Sequence, residues 1–422
     1  MPQDGKTIWL INQYASTPDT GMGGRHYYLA RELARQGHRV YLVAAGFTHL
    51  LQRPKKLNKA FEIQPVAGFS FVWIRTPEYP QAHSRKRIFN WLLFAWKLRQ
   101  LPRVIPDAPD AILYSSPSPV GYLGAQWLSR HYNASLTFDV RDIWPMSLIH
   151  IGGYSSRHLF IRFLQWLEDK AYRESDRVVS NLRNAVAHME SRGMDPLKFA
   201  WIPNGFSMDE VSNAQPLPSE TLALLPRDKF IVGYAGTLGF ANKLDTLIEA
   251  ADLLKVESDI AFVVVGGGRE ESALQELARK KNLRNVLFIK TIPKAQVQSM
   301  LAMFDACYIG LAKDPLFKFG VSPNKLFDYL YAGKPILYAI DSGDYEPVGE
   351  IRAGIQVEPG NPRALADAVL QLRGLSRKER ADMGLRGRNA AVEQYEYGML
   401  AMKLAEVLFS KRASTKDARR RP

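Results

Sequence analysis

"GVSPNKLFDYLYAGKPIL", residues 320–337, reads as a short loop, a helix and a buried strand. Pro323 fits the first helical position, where its missing N–H is no loss, and Ser322 before it is a reasonable N-cap. First-turn amides have no intrahelical partner, so together with the Lys325 ammonium they could face an anion. Asp328 lies three residues beyond Lys325 and four beyond Asn324, which puts the three in one neighbourhood of the helix surface. A carboxylate accepts two hydrogen bonds and so suits the vicinal diol of a ribose, while the cation suits phosphate. A nucleoside diphosphate offers both groups a short distance apart. The simpler alternative is an intrahelical ion pair of about 0.3 kcal/mol.

Outward from this segment, short apolar runs alternate with helical patterns along the chain, the signature of parallel sheets covered by helices. In the first half, strands are expected at 7–12, 39–45, 111–114, 136–140, 176–180 and 200–204, with a helix at 25–36 stopped by Gly37. Residues 206–228 are rich in Pro, Ser and Asn without a clear period and read as a connector. The pattern then restarts with five strands separated by helices, followed by helices near 362–372 and 378–409, the last broken near 384–387. The expected organisation is a first Rossmann-like domain over 1–205, a second over 229–385, a helix at 386–410 that crosses back to the first, and a basic tail at 411–422. Two doubly wound domains would leave a cleft at the carboxyl ends of their strands, where open α/β sheets bind ligands.

Composition narrows the class. The 422 residues, 46% hydrophobic, exceed what one core supports and suit two domains. The single cysteine, Cys307, lies in an apolar strand-like run; it excludes a disulfide framework or cysteine zinc cluster and fits a reducing cytoplasm. The opening residues read as a first strand and not a signal peptide, and no apolar run is long enough to cross a membrane. A net charge of +14 suggests anionic partners, yet the chain carries no recognised nucleic-acid module.

Three further loops could hold phosphate. Gly23 and Gly24 precede the first helix, where backbone amides and the dipole favour an anion. Gly236 ends a strand, a flexible loop follows, and Lys243 opens the next helix. Gly266 to Gly268 lie between another strand and helix. The first does not fit a dinucleotide fingerprint and could be an ordinary glycine turn, the lysine of the second could be an ordinary exposed helix-start lysine, and the third suits a nucleotide without singling one out.

The run "PNKLFDYLYAGKPIL", with "IPNGF", "VGYAGTLG" and "GMGGRHYYLARELARQGHRVYLV", resembles the retaining glycosyltransferases of family 4, which have the GT-B fold of two Rossmann-like domains facing a cleft. "DVRDIWPMSL", residues 139–148, is similar to a segment of the bacterial surface-polysaccharide branch that includes the N-acetyl-L-fucosamine transferases. The resemblance spans about residues 7–395. It implies a UDP-sugar donor, with Gly23 and Gly24 against the diphosphate and acceptor, Lys243 on the phosphates and Asp328 on the ribose. The family's first acidic residue would fall at Gly320 and its arginine at Thr237, so Lys325 is the candidate for the missing cation. The implied reaction is transfer with retention, through an oxocarbenium-like state.

No Asp-x-Asp triplet occurs, which fits a site without metal or other cofactor, where backbone dipoles and lysines neutralise the leaving UDP. Asp142 is the candidate to position the acceptor, and Asp139 is the runner-up. Residues 83–104 carry six basic residues, four aromatics besides His83 and no acid; residues 154–170 add Phe160, Phe163 and Trp166 with Arg157 and Arg162. Such helices can lie in an anionic bilayer interface, and the tail could add attraction. The expected partners are therefore a UDP-sugar, a polyprenyl-diphosphate-linked sugar and the inner face of the plasma membrane, in O-antigen or capsule synthesis. A non-hydrolysing UDP-sugar 2-epimerase and a catalytically inactive nucleotide-binding scaffold are the competing expectations.

Overall fold

The computed structural model describes residues 5–79, 84–150 and 152–410. The basic tail at 411–422, and His83 of the cationic-aromatic segment, lie outside the described residues. The chain forms two compact units: one runs to Pro203 and resumes at Tyr397, the other is Asn204–Glu396.

In the first unit eight strands, β1 (Thr7–Ile11), β2 (Arg39–Ala45), β3 (Phe61–Val66), β4 (Phe69–Ile74), β5 (Ala111–Ser115), β6 (Ser135–Val140), β7 (Arg177–Ser180) and β8 (Phe199–Trp201), make one sheet in the order β3-β4-β2-β1-β5-β6-β7-β8. All neighbours are parallel except the β3–β4 pair. Every residue of β1 is buried, as expected for a strand covered on both faces. Ile8, Leu10 and Leu42 pack on Leu29 and Leu33 of the Arg25–Arg35 helix and on Leu400, Leu404 and Leu408 of the Tyr397–Phe409 helix. Tyr28 stacks on Tyr397 with ring centres 4.9 Å apart.

The second unit is a six-stranded parallel sheet of β9 (Phe230–Ala235), β10 (Ile260–Val265), β11 (Val286–Ile289), β12 (Ala306–Gly310), β13 (Ile336–Ala339) and β14 (Gly354–Gln356), in the order β11-β10-β9-β12-β13-β14. Leu247, Ile248, Leu365 and Val369 cover Val232, Phe262 and Val264. Cys307 is buried in β12, and burial pushes its thiol up to about 12, so it is an inert core group.

Several expectations need correction. β3, β4 and β14 are additional strands: β3 is a half-exposed edge carrying Pro65, which suits an edge and little else, and β14 is only three residues long. The connector contains two short helices, Met208–Ser212 and Ser219–Leu224. The last helix breaks at 391–396, where a π turn gives way to extended Glu396, and not at Gly384 or Gly387. Those glycines sit inside the Arg377–Ala390 helix, and a Cβ on Gly384 would overlap the Gly333 carbonyl.

Candidate functional site

In the second unit the chemistry gathers where β9 ends. Side chains alternate along a strand, so Tyr234 and position 236 share a face, and Gly236 leaves that face open. The Lys325 ammonium enters there: it donates to the Tyr234 hydroxyl and to Asn242 Oδ1, both at 2.7 Å, and lies 4.4 Å from the Tyr234 ring centre. The Tyr234 hydroxyl and Asn242 Nδ2 in turn donate to the Thr237 carbonyl, at 2.7 and 3.0 Å. The result is a closed ring of polar groups. A Cβ on Gly236 would stand 3.3 Å from Lys325 Nζ. Burial pushes Lys325 down to about 8.

The loop after β10 lies against this one. Leu238 N–H donates to the Gly267 carbonyl at 2.9 Å, and a Cβ on Gly266 would overlap the Gly236 carbonyl oxygen. Gly266 is thus required by close approach of two backbones. The loop after β9 and the start of the Asn324–Tyr331 helix therefore meet at Lys325, and the loop after β10 backs the first of them.

Lys325 and Asp328, expected to act side by side, serve different surroundings. The Asp328 carboxyl lines a cavity of about 340 Å³ with Lys294, Glu210, Gln298 and Val297. Burial pushes its pKa up to about 6, with the Lys294 charge pulling down and Glu210 pushing up. Lys294 pairs with Glu210 at 2.5 Å. The alternative of an intrahelical Lys325–Asp328 pair is therefore excluded.

Asn324 is exposed at the first helical position. Lys243 caps the Leu244–Leu253 helix in a left-handed conformation, and its ammonium pairs with Asp245 at 2.7 Å; it is its neighbour Asn242 that reaches Lys325. Pro323, not Ser322, occupies the N-cap of the Asn324–Tyr331 helix. The Ser322 hydroxyl instead accepts from Asn204 N–H at 2.8 Å, tying down the segment that opens this unit. Gly320, at φ 92°, closes the Pro315–Phe319 turn.

In the first unit Gly23 and Gly24 have φ of 67° and 82°, left-handed values that favour glycine, and Gly24 is the N-cap of the Arg25–Arg35 helix. Beneath them lies a polar cluster that sequence inspection missed. Asp139, at the carboxyl end of β6, faces Arg25 at 3.6 Å with both side chains 1% exposed. It also accepts from Ser115 Oγ at 2.8 Å and from His26 Nε2 at 3.1 Å. Asn12 Nδ2 donates to His26 Nδ1 at 3.0 Å, which fixes a neutral imidazole with its proton on Nε2. Burial pushes His26 down to about 4 against the pull of Asp139. Burial acts in the opposite direction on Asp139, raising its pKa, but Arg25, His26 and Ser115 outweigh it and hold the carboxyl well below the ordinary range.

Asp142, three residues on, is exposed at its surface; crowding protein raises its carboxyl pKa while Arg141 opposes the rise. Asp139 is thus closed off from solvent, and Asp142 is the acid that solvent can reach. Among the described residues no group of three His, Cys, Asp or Glu side chains could hold a metal ion, and no helix is long and apolar enough to cross a membrane.

Comparison with known proteins agrees with this architecture. Residues 20–210 match the family described as Glycosyltransferase Family 4, and residues 223–390 the family described as Glycosyl transferases group 1. WcaI of Escherichia coli strain K12, named as a glycosyl transferase of colanic acid biosynthesis, is 23% identical over 376 residues, 83% of this chain and 88% of WcaI. Sucrose-phosphate synthase from Thermosynechococcus elongatus has the same fold with a TM-score of 0.71 at 16% identity, covering 95% of this chain and 98% of its own. Anabaena HepE, solved in complex with UDP and glucose, gives 0.63 at 16% identity over 96% and 100% of the two chains. By its two family domains and its fold, the chain is a glycosyltransferase of the GT-B architecture.

Proposed function

We propose that this glycosyltransferase moves a sugar from a UDP-sugar, with retention, to a lipid-diphosphate-linked acceptor in the synthesis of a bacterial surface polysaccharide. The observation that carries this reading is Lys325 held by Tyr234 and Asn242 beside Gly236. An ammonium has three N–H donors; two are fixed by protein, and the third suits a diphosphate oxygen. Asp328 in its separate cavity suits the ribose diol, so the donor would straddle the start of one helix. HepE, of similar fold, was solved with UDP and glucose, and WcaI is named for colanic acid biosynthesis; both names are in keeping with this reading.

In this reading the bond from the sugar's C1 to the diphosphate oxygen breaks as the acceptor hydroxyl attacks the same face. The hydroxyl proton passes to the departing diphosphate. Lys325, Lys243 and the loop amides carry the developing charge without a metal, and Asp142 positions the acceptor. The donor sugar is proposed to be an N-acetylated deoxyhexosamine such as N-acetyl-L-fucosamine.

Attachment to the inner face of the plasma membrane is proposed through two helices of the first unit, Arg85–Leu98 and Leu159–Glu174. Their inner faces share a core of Trp91, Leu164 and Leu167. Their outer faces leave Phe89, Leu92 and Trp96, and Leu159, Phe163 and Trp166, open to solvent at helical spacing. Arg87 is not part of that outer face, since its guanidinium lies over the rings of Trp91 and Tyr14 at 5.1 and 5.6 Å.

The test is a panel of UDP-sugars with a short-chain lipid-diphosphate sugar acceptor, with and without EDTA, read by UDP release and product mass. The expected result is UDP release that requires acceptor and persists in EDTA, with a product of retained anomeric configuration. Release without acceptor, or no release from any UDP-sugar, would overturn the reading.

A further inference from the structure

The first unit holds a second basic site that the donor chemistry does not use. A cavity of about 510 Å³ is lined by Lys55, Lys56, Arg75 and Lys97, with Phe47, Leu57 and Leu93 as apolar wall. Among the described residues Glu78 is the only acid in its lining. Its place in the fold is informative: Gly46 and Phe47 follow β2, and Arg75 and Thr76 follow β4. Both strands are parallel to β1, so the cavity lies at the sheet edge that also carries the Gly23–Gly24 loop after β1. Ligands of open α/β sheets collect along that edge.

Arg75 and Lys97 are held by neutral groups. Lys97 Nζ donates to the Arg75 carbonyl at 2.6 Å and sits 5.7 Å from the Phe61 ring centre. Lys55 donates to Gln64 Oε1 at 2.8 Å, with Glu62 only at 3.9 Å. Arg75 donates to the Asn58 carbonyl at 3.3 Å. Burial lowers the Lys97 pKa, and the Arg75 charge lowers it further, so these two cations repel each other. An oxyanion entering the cavity would relieve the repulsion, and Arg75 can grip it with two parallel N–H donors.

We propose that this cavity seats an anionic group of the acceptor, a phosphate or a carboxylate, held by Lys56, Arg75 and Lys97. The bearer of the anion rests on the glycosyl-transfer reading above; the binding of an oxyanion does not. The apolar wall of Phe47, Leu57 and Leu93 suits the face of a sugar ring or the first carbons of a lipid next to that anion.

The experiment titrates the full chain with inorganic pyrophosphate and, separately, with glucuronate, by calorimetry. Lys325→Gln serves as the background, so that pyrophosphate binding at the donor site is weakened. Lys56→Ser with Arg75→Ser is then added; both side chains are exposed, and a thermal melt verifies the fold. At least a tenfold loss of affinity is expected, for pyrophosphate if the anion is the acceptor's diphosphate and for glucuronate if it is an acidic sugar. Unchanged affinity for both, or binding of neither to the background protein, overturns the proposal. In a parallel transfer assay with Lys325 intact, the same pair of substitutions should raise the acceptor KM and leave the donor KM in place. Anion binding lost on substitution in a protein that transfers no sugar would sink the transfer reading and keep the site. Transfer that proceeds with unaltered anion binding and acceptor KM would do the reverse.

Discussion

Lys325 Nζ stands 2.7 Å from the Tyr234 hydroxyl and 4.4 Å from the centre of that ring. The phenol is itself pushed far up by burial and stays neutral, so the ammonium is the charge on offer at this point. Replacing it by Lys325→Gln removes a charge-assisted hydrogen bond of about 1.5–3 kcal/mol, which corresponds to a donor KM about ten- to a hundredfold higher. Affinity for UDP should also weaken between pH 7 and 9, because Lys325 loses its proton as pH rises through about 8. The complex then takes up a proton at the upper end of that range. Calorimetry in buffers of different ionisation enthalpy measures that uptake; none at pH 9 would mean the ammonium does not meet the diphosphate.

Asp328 should discriminate nucleoside from phosphate. Asp328→Ala removes the ribose acceptor and leaves Lys325 in its ring with Tyr234 and Asn242. About a tenfold loss of UDP affinity is expected, with pyrophosphate affinity unchanged. Equal losses for both ligands would put Asp328 in a structural role only.

The exposed aromatic faces predict lipid binding that can be removed without unfolding. Trp96, at 57% exposure, and Trp166, at 50%, bury little in the fold, so Trp96→Ser with Trp166→Ser should leave the melting temperature nearly unaltered. Sedimentation with vesicles containing anionic lipid should drop severalfold for the variant and weaken with salt for the parent. Equal sedimentation of the two proteins would remove these helices from any membrane role.

The alternation of apolar runs and helices made the two-sheet architecture legible, because strands covered on both faces read as continuous apolar stretches. β14 was hidden because three residues carry no period, and β3 because its side chains are half exposed. Lys325 was visible for its place at a helix start, and Gly236 for its place at a strand end. That these two meet depends on Tyr234 and Asn242, whose signal is slight: an aromatic two residues before a glycine, and an amide beside a lysine. The Asp139 cluster was illegible for a different reason. Asn12, His26, Ser115 and Asp139 come from four separate segments, and the register of β1, β5 and β6 together with the packing of the Arg25–Arg35 helix on the sheet brings them together. Asp142 attracted notice as an acid beside Arg141, while the buried partner proved to be Asp139.

That cluster sets a stability prediction. Asp139→Ala leaves the Arg25 guanidinium buried at 1% exposure without its counter-charge, a change that typically destabilises by about 3–5 kcal/mol. Removing both charges with Arg25→Met and Asp139→Ala should cost less than the single Asp139→Ala change, since the desolvated cation is gone. Denaturant unfolding of the two single variants and the double variant measures the coupling. Additive losses would show that the charges do not depend on each other.

Glu168 gives the chain an alkaline weakness. Its carboxyl is buried in the first unit, accepting from Trp144 N–H and the Tyr172 hydroxyl at 3.0 Å each and from Gln165 Nε2 at 3.1 Å. Burial pushes its pKa up to about 8 from an ordinary 4.5, with those hydrogen bonds opposing the rise. Between these two values the folded protein retains a proton that the unfolded chain has already released. Stability contributed by this group is therefore fully present below about pH 4.5 and is lost as pH rises through about 8. Glu168→Gln keeps an acceptor for Trp144 and cannot ionise. Melting temperatures of parent and variant should thus diverge as pH is raised from 5 to 9, the variant holding up better at the alkaline end. Parallel curves across that range would mean that Glu168 is ionised in the folded protein at neutral pH, with its three hydrogen bonds sufficient to carry the charge.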